Sequence, residues 1–475
     1  MMQVLSVASE CAPLVKTGGL ADVTGALPGA LKGGGVRMRT LLPGYAAVMP
    51  ALQDPVAVEH FDDLFGGPAT LFEAHAKGLD LLVIDAPHLY GRPGNPYSGP
   101  DGRDWPDNPE RFAALSWVGA HVAAHGAGGW RPQVLHGHDW QAGFMTEYLR
   151  GFGAGDVRTV LTIHNIAFTG ATDRTRIDAL RLDPWRFHPE GYEFYGAVSA
   201  LKAGLMGADA LTTVSPSYAE ELMTPEFGMG LDGVMRRRQG VLTGILNGID
   251  DAMWNPATDP AIIRYDDPAD KRHAKAALQT ELGLPQAAGP LCVIVSRMTH
   301  QKGLDLVLET LPDLLAQGGQ LAVLGSGDPG LEEAFRQAAR DPNVAVRIGY
   351  DEAFSHRLIA GGDAILVPSR FEPCGLTQMY GLRYGTVPVV ALTGGLADTV
   401  IPASPAALAQ GVATGIQFAP VTAGALRSAL ARLGTLYRDP DTWSRLQRNA
   451  MAQPVGWSRS AQAYADLYAT LTHRG

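Results

Sequence analysis

The sequence predicts an α/β protein made of two Rossmann-like halves, each a parallel sheet covered by helices. Three observations carry that expectation. Short apolar runs alternate with amphipathic stretches along most of the 475 residues, the pattern of repeated βα units. The pattern breaks off and restarts once, across a run of turn formers, N-G-I-D-D-A-M-W-N-P-A-T-D-P, beginning at Asn247. The chain is also too long for one ordinary core, and at 46% hydrophobic and 18% charged residues it has the means to bury more than one.

In the first half the strand-like runs are V-L-S-V-A from Val4, L-L-V-I-D from Leu81, V-L-H from Val134, V-L-T-I-H from Val160 and L-T-T-V-S from Leu211. Between two of them Phe112, Leu115, Val118 and Val122 fall on one helical face. In the second half the runs are Leu291 to Val295, Q-L-A-V-L-G, V-A-V-R-I-G, A-I-L-V-P-S and P-V-V-A-L. Near the end Tyr464, Leu467, Tyr468 and Leu471 are spaced for a last packed helix. Ligands of such sheets sit at the carboxyl ends of the strands, so two halves of this kind make a cleft between them.

The formal net charge of −10 and the pI near 5.7 argue against nucleic acid or anionic membrane as a partner. Cys11, Cys292 and Cys374 lack CxxC spacing and read as reduced thiols. No apolar run is long enough to span a bilayer and no signal sequence is evident, so the expected location is the cytoplasm.

T-G-G-L-A-D occurs twice, at Thr17–Asp22 and Thr393–Asp398, each time just past a strand. Each copy is either a bare βα turn or a loop whose glycines let backbone N–H groups reach a ligand. Lys16 beside Gly18 and Gly19 suits a phosphate or sugar hydroxyls. In S-R-M-T-H-Q-K-G, Arg297 follows a strand directly, and with Lys302 it could clamp a diphosphate; the alternative is two solvated cations. In P-S-R-F-E-P-C-G-L-T, a helix opening near Gly375, Leu376 and Thr377 offers N–H groups to an anion. Glu372 there is a sugar-hydroxyl acceptor, a cap or an ion-pair partner. V-L-H-G-H-D-W and T-I-H-N supply His136, His138, Asp139, Trp140, His164 and Asn165, without the ligand spacing of a zinc motif. Asp439 and Asp441 read as a helix cap, so no catalytic metal is expected. Tyr97, Asn247 and Tyr350 fall in loops, where binding and turn-making are hard to separate.

Taken together, K-T-G-G-L-A-D-V, D-A-P-H-L-Y, H-D-W, T-I-H-N, V-S-P-S-Y, N-G-I-D, S-R-M-T-x-Q-K-G, E-A-F-S-H-R, P-S-R-F-E-P-C-G-L-T-Q and T-G-G-L-A-D-T-V resemble, in order, the bacterial glycogen synthase family of retaining GT-B glycosyltransferases. The resemblance implies an acceptor-side domain over 1–248, a nucleotide-sugar domain over 249–456 and a final helix, 457–475, returning to the first. It implies transfer of glucose from ADP-glucose to the 4-hydroxyl at the non-reducing end of an α-1,4-glucan, glycogen, with retention and without metal or pyridoxal phosphate. By this analogy Arg297 and Lys302 neutralise the diphosphate, and Glu372, Cys374 and Gly375 border the glucose. Leu376 and Thr377 belong to the same donor loop. Lys16, Gly18, Gly19 and Asp22 meet the donor from the other domain, Asn247 lies by the reacting sugar and Tyr350 by the adenine. His164 and Asp139 line the reacting sugar, with Tyr97, His138, Trp140 and Asn165 on the acceptor side.

Two positions depart from the pattern. Many retaining GT-B enzymes carry a second glutamate eight residues after the first, where this chain has Tyr380, and relatives often have tyrosine at Phe168. The residues alone leave open UDP-glucose or another acceptor, a phosphorylase with lysine-bound pyridoxal phosphate, and an inactive sugar-nucleotide binder. Because Lys302 falls in a loop, Lys302→Ala is expected to lower turnover severely and leave folding intact.

Overall fold

The computed structural model describes residues 1–473, and the chain divides into two compact units, one of Met1–Asn247 with the segment from Trp457 on, the other of Gly248–Gly456. In the first unit the strands are β1 Met2–Val7, β2 Val36–Pro43, β3 Gln53–Phe61, β4 Ala69–Ala76, β5 Leu79–Asp85, β6 Val134–His138, β7 Arg158–Ile163, β8 Ala171–Thr172, β9 Glu193–Phe194, β10 Ala197–Ser199, β11 Ala210–Thr213 and β12 Leu242–Gly244. Nine of them form one sheet in the order β12-β11-β7-β6-β1-β2-β5-β4-β3. Pairing is parallel from β12 to β5 and antiparallel for β4 and β3 at the edge. Strands β8, β10 and β9 make a small separate sheet.

The apolar runs became central parallel strands because helices cover both faces, and a strand buried on both sides needs no polar alternation. The helix Asn108–His125 buries Phe112, Leu115, Val118 and Val122 on one side of the sheet. The helix Ser458–His473 packs on the helix Gly19–Leu31, and its Tyr464, Tyr468 and Leu471 join Val4, Leu27, Val134 and Val160 in one core. Strands β2, β3 and β4 stand outside the sequence reading. In V-R-M-R of β2, Arg39 is 4% exposed and is paired to Glu73 of β4 at 2.5 Å.

The second unit carries β13 Leu291–Val295, β14 Gln320–Gly325, β15 Val344–Ile348, β16 Ala364–Val367, β17 Val387–Ala391 and β18 Ile416–Phe418, in the order β15-β14-β13-β16-β17-β18 and parallel throughout. Its core joins Ile294, Leu311, Val323, Leu366, Val389, Leu430 and Trp443. Asp439 caps the helix Pro440–Met451 by accepting from the Thr442 amide, as the sequence indicated.

Candidate functional site

In the second unit the candidate residues gather at the carboxyl ends of β13 and β16, where a parallel sheet presents its loops. Arg297 stands two residues past Val295, exposed, and its guanidinium has no ion-pair partner among the described residues. Lys302 closes a short turn, His300–Lys302, ended by Gly303 at φ +65°. A Cβ on Gly303 would lie 2.1 Å from the Pro368 carbonyl oxygen, so this turn is pressed against the Pro368–Glu372 loop. Gln301 and Arg370 lock the two together: the Arg370 amide donates to the Gln301 carbonyl at 2.9 Å, and Gln301 Nε2 donates to the Phe371 carbonyl at 3.0 Å.

The result is an ion pair between a half-buried lysine and a buried carboxylate. Lys302 Nζ lies 2.6 Å from Glu372 Oε2, and the Ser369 hydroxyl donates to the same oxygen at 2.9 Å. Of the three readings open for Glu372, ion pairing is the one the structure displays. Lys302, Ser369, Glu372 and Thr377 line one small pocket, floored by Val295 and Val367 at the strand ends. The expected intact folding of Lys302→Ala therefore needs correction, because Lys302 is the counter-charge of a buried carboxylate.

Gly375 follows at φ +69°, where a Cβ would fall 2.5 Å from Gln378 Oε1. Gln378 is fully buried and donates to the Cys374 and Gly375 carbonyls at 3.0 and 2.9 Å, shaping the loop from below. Cys374 is buried, Leu376 half-buried, and Thr377 opens a seven-residue helix, Thr377–Arg383. Tyr350 is 76% exposed beyond β15.

Tyr380, at the position of the missing second glutamate, has structural work. Its ring stacks on Trp254 at 3.7 Å, and Trp254 stacks on His356 at 3.8 Å. His356 and Tyr384 in turn both bind Asp259.

The two T-G-G-L-A-D copies have different reasons for their glycines. Both open helices, Gly19–Leu31 and Gly394–Thr399. Gly394 (φ +42°) and Gly395 press on the Glu372–Cys374 backbone, where a Cβ would fall 2.1 Å from Glu372 O and 2.2 Å from Cys374 O. The Gly395 amide donates to Glu372 O at 3.1 Å. The second copy therefore supports the glutamate loop from beneath. A Cβ on Gly18 or Gly19 meets nothing within 4 Å, so the first copy turns its glycines to open space.

In the first unit Lys16 is part-exposed and paired with Asp22 at 2.7 Å. The turn that carries it hangs on a residue the sequence reading missed. Glu10, 3% exposed at the end of β1's following loop, accepts from the Thr17 amide, the Thr17 hydroxyl (2.6 Å), the Gly18 amide (3.3 Å) and the Tyr97 hydroxyl. Tyr97, expected on the acceptor side, is thus half-buried with its hydroxyl committed to Glu10 and Ser9. The signal was an isolated acidic residue just past a core strand.

Beyond β6 and β7, Asp139 sits at φ +55°, and its carboxylate accepts from the His164 amide at 2.6 Å and the Asn165 amide at 3.3 Å. Burial pushes its pKa up to about 7 against those two amides, and the nearby Glu10 charge adds to the rise. His138 Nδ1 lies 3.0 Å from His164 Nε2, and His138 Nε2 lies 3.1 Å from the Ser6 hydroxyl. Burial holds His164 at about 3 and His138 well below the ordinary range, so both rings are neutral. His138 is fully buried, which corrects its placement on the acceptor wall: it carries the His164 ring from beneath. Trp140 packs edge-on against Phe112 and against Gly170, whose φ is +59°. Asn165 Oδ1 accepts from the Ala167 amide at 3.1 Å, and Phe168 is 61% exposed. Asn247 is 7% exposed, and its buried Oδ1 has no hydrogen-bond partner among the described residues.

Residues 3–237 match the model of the starch synthase catalytic domain, and residues 289–434 match that of glycosyl transferases group 1. The chain is 64% identical over 469 residues to a glycogen synthase of Jannaschia sp., covering 98% of this chain and 99% of that one. It is 62% identical, with the same coverage, to one of Paracoccus denitrificans. The chain belongs to the glycogen/starch synthase family. Its two units are those of a GT-B glycosyltransferase, and the enzyme is a hexosyltransferase. The catalytic domain of starch synthase IV from Arabidopsis thaliana, solved bound to ADP and acarbose, superposes with a TM-score of 0.89 at 30% identity, with full coverage of both chains. Sucrose-phosphate synthase from Thermosynechococcus elongatus, at 18% identity and TM-score 0.63, shares the fold. Among the described residues no helix of this family member is long and apolar enough to cross a membrane.

Proposed function

We propose that this enzyme transfers glucose from ADP-glucose to the 4-hydroxyl at the non-reducing end of an α-1,4-glucan, with retention at the anomeric carbon, in glycogen synthesis in the cytoplasm. The observation that carries this reading is the likeness over the whole chain to a starch synthase solved with ADP. The paired cations at the strand ends support it. Breaking the bond between glucose and diphosphate puts positive charge on the anomeric carbon and negative charge on the departing ADP. Positive charge from Arg297 and Lys302 lowers the second cost, the work that a divalent ion does elsewhere. Glu372, held by Lys302 and Ser369, is a preorganised acceptor for sugar hydroxyls. Gly375, Leu376 and Thr377 shape the donor loop, and Tyr350 serves the adenine.

In the first unit we assign Lys16, Gly18, Gly19 and Asp22 to an anion- and hydroxyl-binding turn. Asp139, His164, Asn165 and Trp140 serve the sugar side. Neutral His164 suits hydrogen bonding to a sugar better than charge stabilisation, since its burial disfavours imidazolium. Asn247 Oδ1, buried without a hydrogen-bond partner among the described residues, suits a sugar hydroxyl donor.

Initial rates with ADP-glucose and UDP-glucose on a glycogen primer test the donor, and proton NMR of the product tests the linkage and its configuration. ADP-glucose is expected to be used at least tenfold better in kcat/KM, a preference of about 1.4 kcal/mol. Equal use of UDP-glucose overturns the donor. Full activity is expected after chelation; loss restored only by magnesium or manganese overturns the cation clamp.

A further inference from the structure

Glu10 lies where β1 hands over to the Lys16–Gly19 turn, at the carboxyl end of a central parallel strand. A buried carboxylate is costly unless its oxygens are filled with donors. Here four are gathered from two separate segments. Thr17 gives its amide and hydroxyl and Gly18 its amide, while Tyr97 gives its hydroxyl from the loop before the helix Asn108–His125. Tyr97 is steadied in turn by the Ser9 hydroxyl at 2.9 Å and by its carbonyl, which accepts from Asn108 Nδ2 at 2.8 Å. Burial first, then the Glu10 charge, keep the Tyr97 phenol protonated and able to donate. From the third side the Thr24 hydroxyl donates to the Glu10 carbonyl at 2.7 Å, fixing the backbone of Glu10 to the helix that the turn opens. The middle of the turn, Thr17 and Gly18, is therefore referred to one carboxylate. Lys16 itself does not touch Glu10, and its ammonium is held at the helix start by Asp22.

We propose that Glu10 is the positioning residue of the Lys16–Gly19 turn, setting where Lys16 and the open side of Gly18–Gly19 stand toward the donor. This rests on the reading of that turn as donor-binding. A glycine-rich turn has many conformations of similar energy. Two amides and a hydroxyl drawn to one buried anion select a single one, and a binding group gains most when it is held before the ligand arrives.

The test uses the full-length enzyme with ADP-glucose and glycogen, and compares Glu10→Ala, Lys16→Ala and the double variant, with a thermal melt of each. Lys16→Ala is expected to lower kcat/KM for ADP-glucose at least about tenfold, with Glu10→Ala close to it. The double variant is expected within about threefold of the worse single one, because both changes disable the same turn. In Glu10→Ala the KM for ADP-glucose should rise while half-saturation by glycogen stays put. A purely structural defect would lower the active fraction and leave KM alone. Glu10→Gln should recover most of the loss, since the Thr17 and Tyr97 hydroxyls can turn to accept from its amide.

Should Glu10→Ala not fold, Glu10→Gln and Tyr97→Phe carry the test, with KM for ADP-glucose raised in Tyr97→Phe. Wild-type KM in both overturns the proposal. An impaired Lys16→Ala beside a silent Glu10→Ala, or losses that multiply in the double variant, overturns the proposal alone. A silent Lys16→Ala overturns the donor-binding reading of the turn, and the proposal with it.

Discussion

Lys302 and Glu372 show how a pair of residues can serve both folding and chemistry. Removing the lysine strips the cation proposed to meet the diphosphate and also leaves a buried carboxylate with Ser369 alone. Breaking a buried pair from one side costs roughly 3 kcal/mol, and losing one preorganised cation costs on the order of a hundredfold in turnover. Lys302→Ala is therefore expected to lower kcat about a hundredfold and the melting temperature together. Adding Glu372→Gln removes the stranded charge, so the double variant should regain melting temperature and no activity, checked by a thermal scan beside an initial-rate assay. A double variant still melting as low as Lys302→Ala would show that the ion pair does not govern local stability. The sequence made the candidates visible here because charged residues beside strand ends are few. Which of them touch was not legible, since the 2.6 Å contact joins residues 70 apart in the chain.

Repeated words in a sequence need not be repeated devices. Gly394 and Gly395 leave no room for a methyl group above the Glu372–Cys374 backbone, whereas Gly18 and Gly19 have room. Gly395→Ala must push against a carbonyl oxygen, an overpacking that costs roughly 1–3 kcal/mol or more. It should lower melting temperature clearly and activity with it. Gly19→Ala, in a helical first turn, should leave the melting temperature nearly unchanged while lowering kcat/KM for ADP-glucose. Equal melting losses in the two variants would contradict the distinction. Most of the central strands were legible as runs of Val, Leu and Ile, because a strand covered on both faces must be apolar throughout. Strands β2 to β4 were not, because they carry charges that only tertiary pairing neutralises, such as Arg39 against Glu73. Glu10 was missed for the same reason: its four donors come from positions 17, 18 and 97.

For the molecule as a whole, the buried histidines of the first sheet, His136 and His138 on β6 and His164 just past β7, couple the fold to pH. His136 Nδ1 bonds the Tyr468 hydroxyl of the last helix at 2.7 Å, and its Nε2 meets Thr162 at 2.6 Å. Burial pushes His136 and His164 down to about 3 and His138 well below 6.5. In the unfolded chain all three titrate near 6.5. Between pH 6.5 and about 3 the unfolded state therefore binds more protons, and stability falls as pH falls. Asp139 works the other way: its folded value of about 7 lies above the unfolded one, so it favours the fold toward low pH. Three groups outweigh one, and the net expectation is acid lability, with each histidine contributing up to about 1.4 kcal/mol per pH unit within that window. Urea unfolding from pH 7 down to pH 4 measures the slope. His136→Gln should flatten it, and Asp139→Asn, which removes the opposing group, should steepen it. A slope unchanged in both variants would mean that acid sensitivity arises elsewhere. The same contacts make the last helix part of the first unit's core, so a chain ending at Trp457 should lose the Tyr468 partner of His136 and unfold over a wider pH range than the full enzyme.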